Sequence, residues 1–236
     1  MKKRRALLLT LLALLLVVGI PTALLLRAYR QERLNRELLA AVLGGDTNKA
    51  LTALRAGANP NAHLDDEILY VSEYPASPAL ILTLRQGRPT PDPAQYQTSE
   101  IKNRKEPVEL VKVLLDKGAN PNAVGTMTKH TPLLFAAASG FDTCVRLLLQ
   151  HGANVNQQDA EGESPLLAAA LSNHPATLHL LLDQGANVNI KAELGTILDY
   201  MEIEPGIQPE ITLILRKAGA KTGKELSSQS ANPPKR

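Results

Sequence analysis

Gly162-Glu163-Ser164-Pro165-Leu166-Leu167-Ala168-Ala169-Ala170 opens a stretch that closes with Leu181-Leu182-Asp183-Gln184-Gly185-Ala186-Asn187-Val188-Asn189. Ser164 followed by Pro165 reads as a helix start. The hydroxyl can accept from a first-turn N–H, and proline sits where its missing N–H leaves nothing unsatisfied. The alanine run gives a short helix with a small face, against which a second helix over residues 177–183 can pack closely. Gly185 follows the leucine pair where a helix ends on a left-handed residue. Asn187-Val188-Asn189 suits a tight turn leading into an extended hairpin.

The same grammar recurs along the chain. Gly57-Ala58-Asn59-Pro60-Asn61, Gly118-Ala119-Asn120-Pro121-Asn122 and Gly152-Ala153-Asn154-Val155-Asn156 precede this copy, and Gly219-Ala220-Lys221 is a decayed fifth. Successive glycines are 61, 34, 33 and 34 residues apart, so the period is about 33 and the first interval holds an enlarged unit. Helix starts keep the same phase at Ser77-Pro78, Thr131-Pro132 and Ser164-Pro165, and then at Thr196-Ile197 without the proline. Leu114-Leu115 and Leu148-Leu149 hold the register of Leu181-Leu182.

These motifs closely resemble the ankyrin repeat. The resemblance is best from Gly162 to Asn189, nearly as good from His130 to Asn156, and five units of it cover most of the chain. Leu134 and Leu167 replace the usual histidine after Pro-Leu, and Asn173 stands where the preceding unit keeps Gly140. The resemblance implies an all-α solenoid of helix-turn-helix units with hairpin fingers, over residues 35–226. The units are expected at 35–66, 67–126, 127–159, 160–192 and 193–223, with a disordered tail at 227–236.

Before the repeats, Met1-Lys2-Lys3-Arg4-Arg5 leads into an apolar run that starts at Ala6 and ends at Leu26, 21 residues without a charge. A helix of that length reaches roughly 30 Å, enough to span a bilayer's hydrocarbon core. The run is longer than the apolar core of a cleaved signal peptide, and Pro21 would sit at the −3 position of a cut after Ala23. The expectation is one N-terminal transmembrane signal anchor; cleavage and secretion to the periplasm is the alternative. A short basic N-terminus places that end in the cytoplasm and the repeats in the periplasm of a bacterial cell, on its inner membrane. Residues 27–34 read as a charged stalk.

Of the 26 Lys and Arg, eight precede residue 37, against one of the 23 acidic residues. The remainder is therefore mildly acidic, which argues against a nucleic-acid binder. The single cysteine, Cys144, excludes an internal disulfide and Cys₄ or Cys₂His₂ zinc. His174 and His179 are five apart, not four, with Pro175 between them, and form no ligand pair. Gly44-Gly45-Asp46 lacks the Lys-Ser/Thr of a phosphate loop and reads as a turn. No catalytic residue, cofactor or metal is expected.

The second unit carries two insertions: about eight residues in its finger, acidic with tyrosines, and about twenty between its helices, proline-rich with basic flanks. What the resemblance implies functionally is protein binding on the concave face of fingers and first helices. The residues expected to make that contact are Tyr70, Tyr74, Arg88 and Tyr96 in the insertions. Lys129, His130, Phe135, Gln157, Glu161, Glu163 and Leu167 are expected to join them from the fingers and first helices. The function expected is a membrane-tethered interaction module. Alternatives are an immunity-type inhibitor that occludes a toxic envelope-acting enzyme, and a cytoplasm-facing scaffold.

Overall fold

A computed structural model describes residues 20–63, 78–85, 106–125, 129–203 and 209–230. Its helices come in pairs. α1 (Ile20–Leu43) packs on α2 (Thr47–Arg55), and α3 (Ala79–Arg85) on α4 (Val108–Asp116). The pairs that follow are α5 (Pro132–Ser139) with α6 (Asp142–Gln150), α7 (Pro165–Leu171) with α8 (Pro175–Asp183), and α9 (Ile197–Ile203) with α10 (Pro209–Lys217). The first helix of each pair packs on the first helix of the next, and the second on the second, so two layers of helices run the length of the array. α11 (Gly223–Ser230) closes the C-terminal end.

Helix boundaries follow the chemistry read in the sequence. Thr131 Oγ1 accepts from Leu134 N at 3.1 Å and Ser164 Oγ accepts from Leu167 N at 3.2 Å, each just before the proline that opens its helix. Asp46 caps α2 by accepting from Lys49 N at 3.0 Å, so Gly44-Gly45-Asp46 is indeed a turn. That N–H holds the Asp46 carboxyl below the usual carboxylate range. The glycines that follow each second helix, from Gly57 to Gly219, all have φ between 80° and 102°. A left-handed residue there lets the chain leave the helix while the next N–H returns to it, as Ala153 N does to Leu148 O.

Among the described residues the main core is an apolar layer, mostly of Leu, Ala, Val and Ile, running from Leu34 to Ala220, beside a small cluster of Leu134, Ala138 and Ala168. Every residue of α5 is buried, because α3 and α7 flank it and α6 backs it. Cys144 is among these packing residues, fully enclosed on α6. Burial, and secondarily the Glu106 carboxylate, push its thiol up to about 12.

A ladder of asparagines ties each unit to the next. Asn61 Nδ2 donates to Gly118 O at 2.9 Å, and its Oδ1 accepts from Asn120 N at 2.7 Å. Asn122 repeats both bonds to Gly152 O and Asn154 N, at 2.9 and 2.7 Å. Asn156 accepts from Asn187 N at 2.7 Å, and Asn189 reaches Gly219 O at 3.2 Å and accepts from Lys221 N at 2.8 Å. The first asparagine of each pair accepts from the N–H of the second, making the turn the Asn-x-Asn spacing predicts.

The N-terminal rung is supplied by α1. Asn35 Oδ1 accepts from Asn59 N at 2.8 Å and Gln31 Nε2 donates to Gly57 O at 3.0 Å, so α1 takes the place a preceding unit would have. The expected boundary between stalk and repeats at residue 34 is therefore no break: one helix runs from Ile20 to Leu43. Its first part is exposed, with Leu24, Leu25 and Leu26 at 59–69% exposure, and Leu34, Leu38 and Leu39 begin the core. No helix among the described residues is long and apolar enough to cross a membrane. Most of the expected span, residues 6–19, lies outside the described residues.

Two expectations differ from what is observed. Regular finger pairing among the described residues is confined to β1 (Lys191–Ala192) against β2 (Gly195–Thr196), with an isolated bridge between His63 and Pro78. The tail expected from residue 227 is helical through Ser230. Thr222 and Glu225 form a reciprocal cap, Glu225 N donating to Thr222 Oγ1 and Thr222 N to Glu225 Oε2, while Arg216 clamps Glu225 at 2.8 and 3.0 Å. Asp199 anchors the same turn. It accepts from Thr196 N at 2.7 Å, Thr196 Oγ1 at 2.9 Å and Gly223 N at 2.9 Å. Gly195 must be glycine for this: its φ is 128°, and a Cβ there would lie 2.5 Å from Asp199 Oδ2.

Candidate partner-binding face

The fingers that precede α5 and α7 carry most of the expected contact residues within the described chain. Lys129 and Glu161 are exposed, and Gln157 and Glu163 are half-buried. Lys129 stands 33 residues before Gly162, at the matching place in its finger, and has the same left-handed backbone, φ 54° against 80°. A lysine there carries the strain that the glycine avoids. Glu161 is held at the tip of the next finger because its N–H donates to Asp159 Oδ1 at 3.0 Å; Glu163 N donates to the same oxygen at 2.8 Å.

His130, Phe135 and Leu167 do not join that surface. They are 6%, 6% and 4% exposed, so a partner cannot touch them, and the expectation for these three is corrected. His130 turns inward to the next finger: its Nε2 lies 3.2 Å from Asp159 Oδ2, and Phe135 stands perpendicular to its ring at 5.2 Å. Phe135 therefore belongs to the core and holds the imidazole in place. Leu167 lines a small crevice of mixed polarity with Ser164, Asn187, Val188 and Ile197. Tyr70, Tyr74, Arg88 and Tyr96 lie outside the described residues.

Three other polar side chains have structural partners. His151 ends α6, its Nε2 3.6 Å from Asp116 Oδ1, where a cation suits the helix terminus. Asp142, at the start of α6, accepts from the Thr177 hydroxyl of α8. Glu106 accepts from Thr143 N at 3.3 Å and so satisfies the start of α6, for which Phe141 offers no side-chain cap. Sequence reasoning missed Asp159, which organises one finger and reaches the preceding one; its only signal was an acidic residue ahead of a turn glycine.

Residues 101–192 match the family model for ankyrin repeats, in three copies. The E3 ubiquitin-protein ligase KEG of Arabidopsis thaliana is 38% identical over 89 residues, 36% of this chain and 5% of that protein. A glycerophosphocholine phosphodiesterase of Schizosaccharomyces pombe is 43% identical over 54 residues, 23% of this chain and 5% of its own length. The B-cell lymphoma 3 protein homolog of Mus musculus is 43% identical over 56 residues, 24% of this chain and 12% of that protein. The chain thus spans about a tenth or less of these relatives, and their differing activities belong to them. What they share with this chain is the repeat stretch, of a kind that binds proteins and is typically not catalytic.

Proposed function

Since the chain carries ankyrin repeats, we propose that it is a membrane-tethered, non-enzymatic protein-interaction module, with its repeats on the periplasmic side of an inner membrane. The observation that carries the interaction reading is the asparagine ladder from Asn35 to Lys221, which fixes successive fingers to one another. Lys129, Gln157 and Glu161 stand on that frame, so a partner meets a finger backbone already in place and only side chains are ordered on binding. Tethering is supported by α1. The apolar run of residues 6–26 ends in Leu24, Leu25 and Leu26, which stay exposed on the helix that docks into the first unit, so no described part of the repeats covers them.

The test is protease accessibility of a C-terminally tagged chain in intact, outer-membrane-permeabilised and fully lysed cells. Digestion on outer-membrane permeabilisation, with the full-length band retained in carbonate-washed membranes, is the expected result. A band released by carbonate would remove the tether, and resistance until the inner membrane is lysed would place the repeats in the cytoplasm.

A further inference from the structure

We propose that His130, Asp159 and Glu161 form a divalent metal site of the zinc class, bridging the fingers of the third and fourth units. Their ligand atoms lie within 4.8 Å of one another. Asp159 Oδ2 is the pointed observation. The Asp159 side chain is 0% exposed, and this oxygen has no hydrogen-bond partner, although the other carboxylate oxygen accepts two backbone N–H groups. A buried carboxylate oxygen without a partner costs free energy that a bound cation would recover.

The neighbouring geometry is compatible with a shared cation. His130 Nε2 is 3.2 Å from Asp159 Oδ2, yet the two do not meet as donor and acceptor. Two ligands on a tetrahedral zinc at ~2.0–2.1 Å are separated by about 3.3 Å, so the imidazole nitrogen and the carboxylate oxygen already have the spacing of adjacent ligands. Phe135, perpendicular to the imidazole, fixes its plane. Glu161 is exposed at the tip, free to swing onto a metal held by the two buried groups, its backbone already tied to Asp159. Three protein ligands leave a fourth position for water. No local sequence motif announces the site, because His130 and Asp159 are 29 residues apart on consecutive fingers.

The test uses the untagged full chain without any partner, so its outcome is independent of the interaction reading. Zinc is titrated against a competing chromophoric chelator for wild type, Glu161→Gln and His130→Gln, and Co²⁺ is added to each for its visible absorption. One zinc per chain is expected, with binding weakened at least ~10-fold by Glu161→Gln and lost in His130→Gln together with the tetrahedral Co²⁺ bands. Should His130→Gln fail to fold, Glu161→Gln decides alone, since its side chain is on the surface. Equal affinity in wild type and Glu161→Gln, or no binding at about 100 μM zinc, overturns the site.

Discussion

Lys129, like Asn173, has a left-handed backbone where the matching place in a neighbouring unit is glycine. Its φ of 54° matches that of Gly162 one unit later in sign and region. A left-handed L-residue costs roughly 1–2 kcal/mol, and glycine's extra unfolded-state freedom returns about half of that, so Lys129→Gly is expected to stabilise by ~0.5–1 kcal/mol. Urea unfolding checks this, and a lowered midpoint would mean the lysine side chain contributes more than its backbone loses. Cys144 gives a second residue-scale test. Enclosed, with its thiol raised to about 12, it should resist a thiol-specific disulfide reagent in the native chain and react only on unfolding. Helix caps and turn glycines were legible in the sequence because each is set by its own neighbours along the chain. The burial of His130, Phe135 and Leu167 was not, since what encloses them includes residues far along the chain, as Asp159 does for His130.

The elements are joined by polar contacts that repeat with the period. Asn122 contributes two cross-unit bonds, and Asn122→Ala is expected to cost about 1–2 kcal/mol in urea unfolding, because Gly152 O and Asn154 N each lose a protein partner. The loss should extend beyond the turn. In native-state hydrogen exchange, protection should fall in the units on both sides of Asn122, since repeat stability is a nearest-neighbour property. At the other end, α11 depends on two carboxylates. Burial acts to raise Asp199, but the N–H groups of Thr196 and Gly223 and the Thr196 hydroxyl outweigh it and hold it low; Thr222 N–H and Arg216 do the same for Glu225. Each releases its proton more readily folded than unfolded, so its contribution is present above the usual carboxylate range and is lost as pH falls through the lowered value. Exchange in residues 209–230, corrected for intrinsic rate, should therefore increase selectively below about pH 4. Unchanged protection there would show that apolar packing alone holds α11. The Asn-x-Asn turns could be read from spacing, whereas their bonds to the next unit, and the Thr222–Glu225 cap, needed the units side by side.

For the whole molecule, the period in the sequence was enough to order the layers, because each unit meets only its neighbours. It could not show that α1 serves as a first-unit helix and an exposed N-terminal extension at once. Gln31 and Asn35 look like stalk residues until Gly57 and Asn59 are placed against them. That docking means the segment leading from residues 6–26 enters the array as helix rather than as a loose linker, and the fingers keep a fixed orientation relative to it. In the proposed function a protein partner is bound by the fingers and not by the outer layer of helices. The most direct measurement places a photo-crosslinking amino acid at Lys129, at Gln157 and, on the outer helix α6, at exposed Arg146, in otherwise unaltered cells. Discrete, saturable adducts of one size from positions 129 and 157, with none from 146, are the predicted result. Adducts from position 146 alone, or the same unspecific pattern from all three, would contradict it.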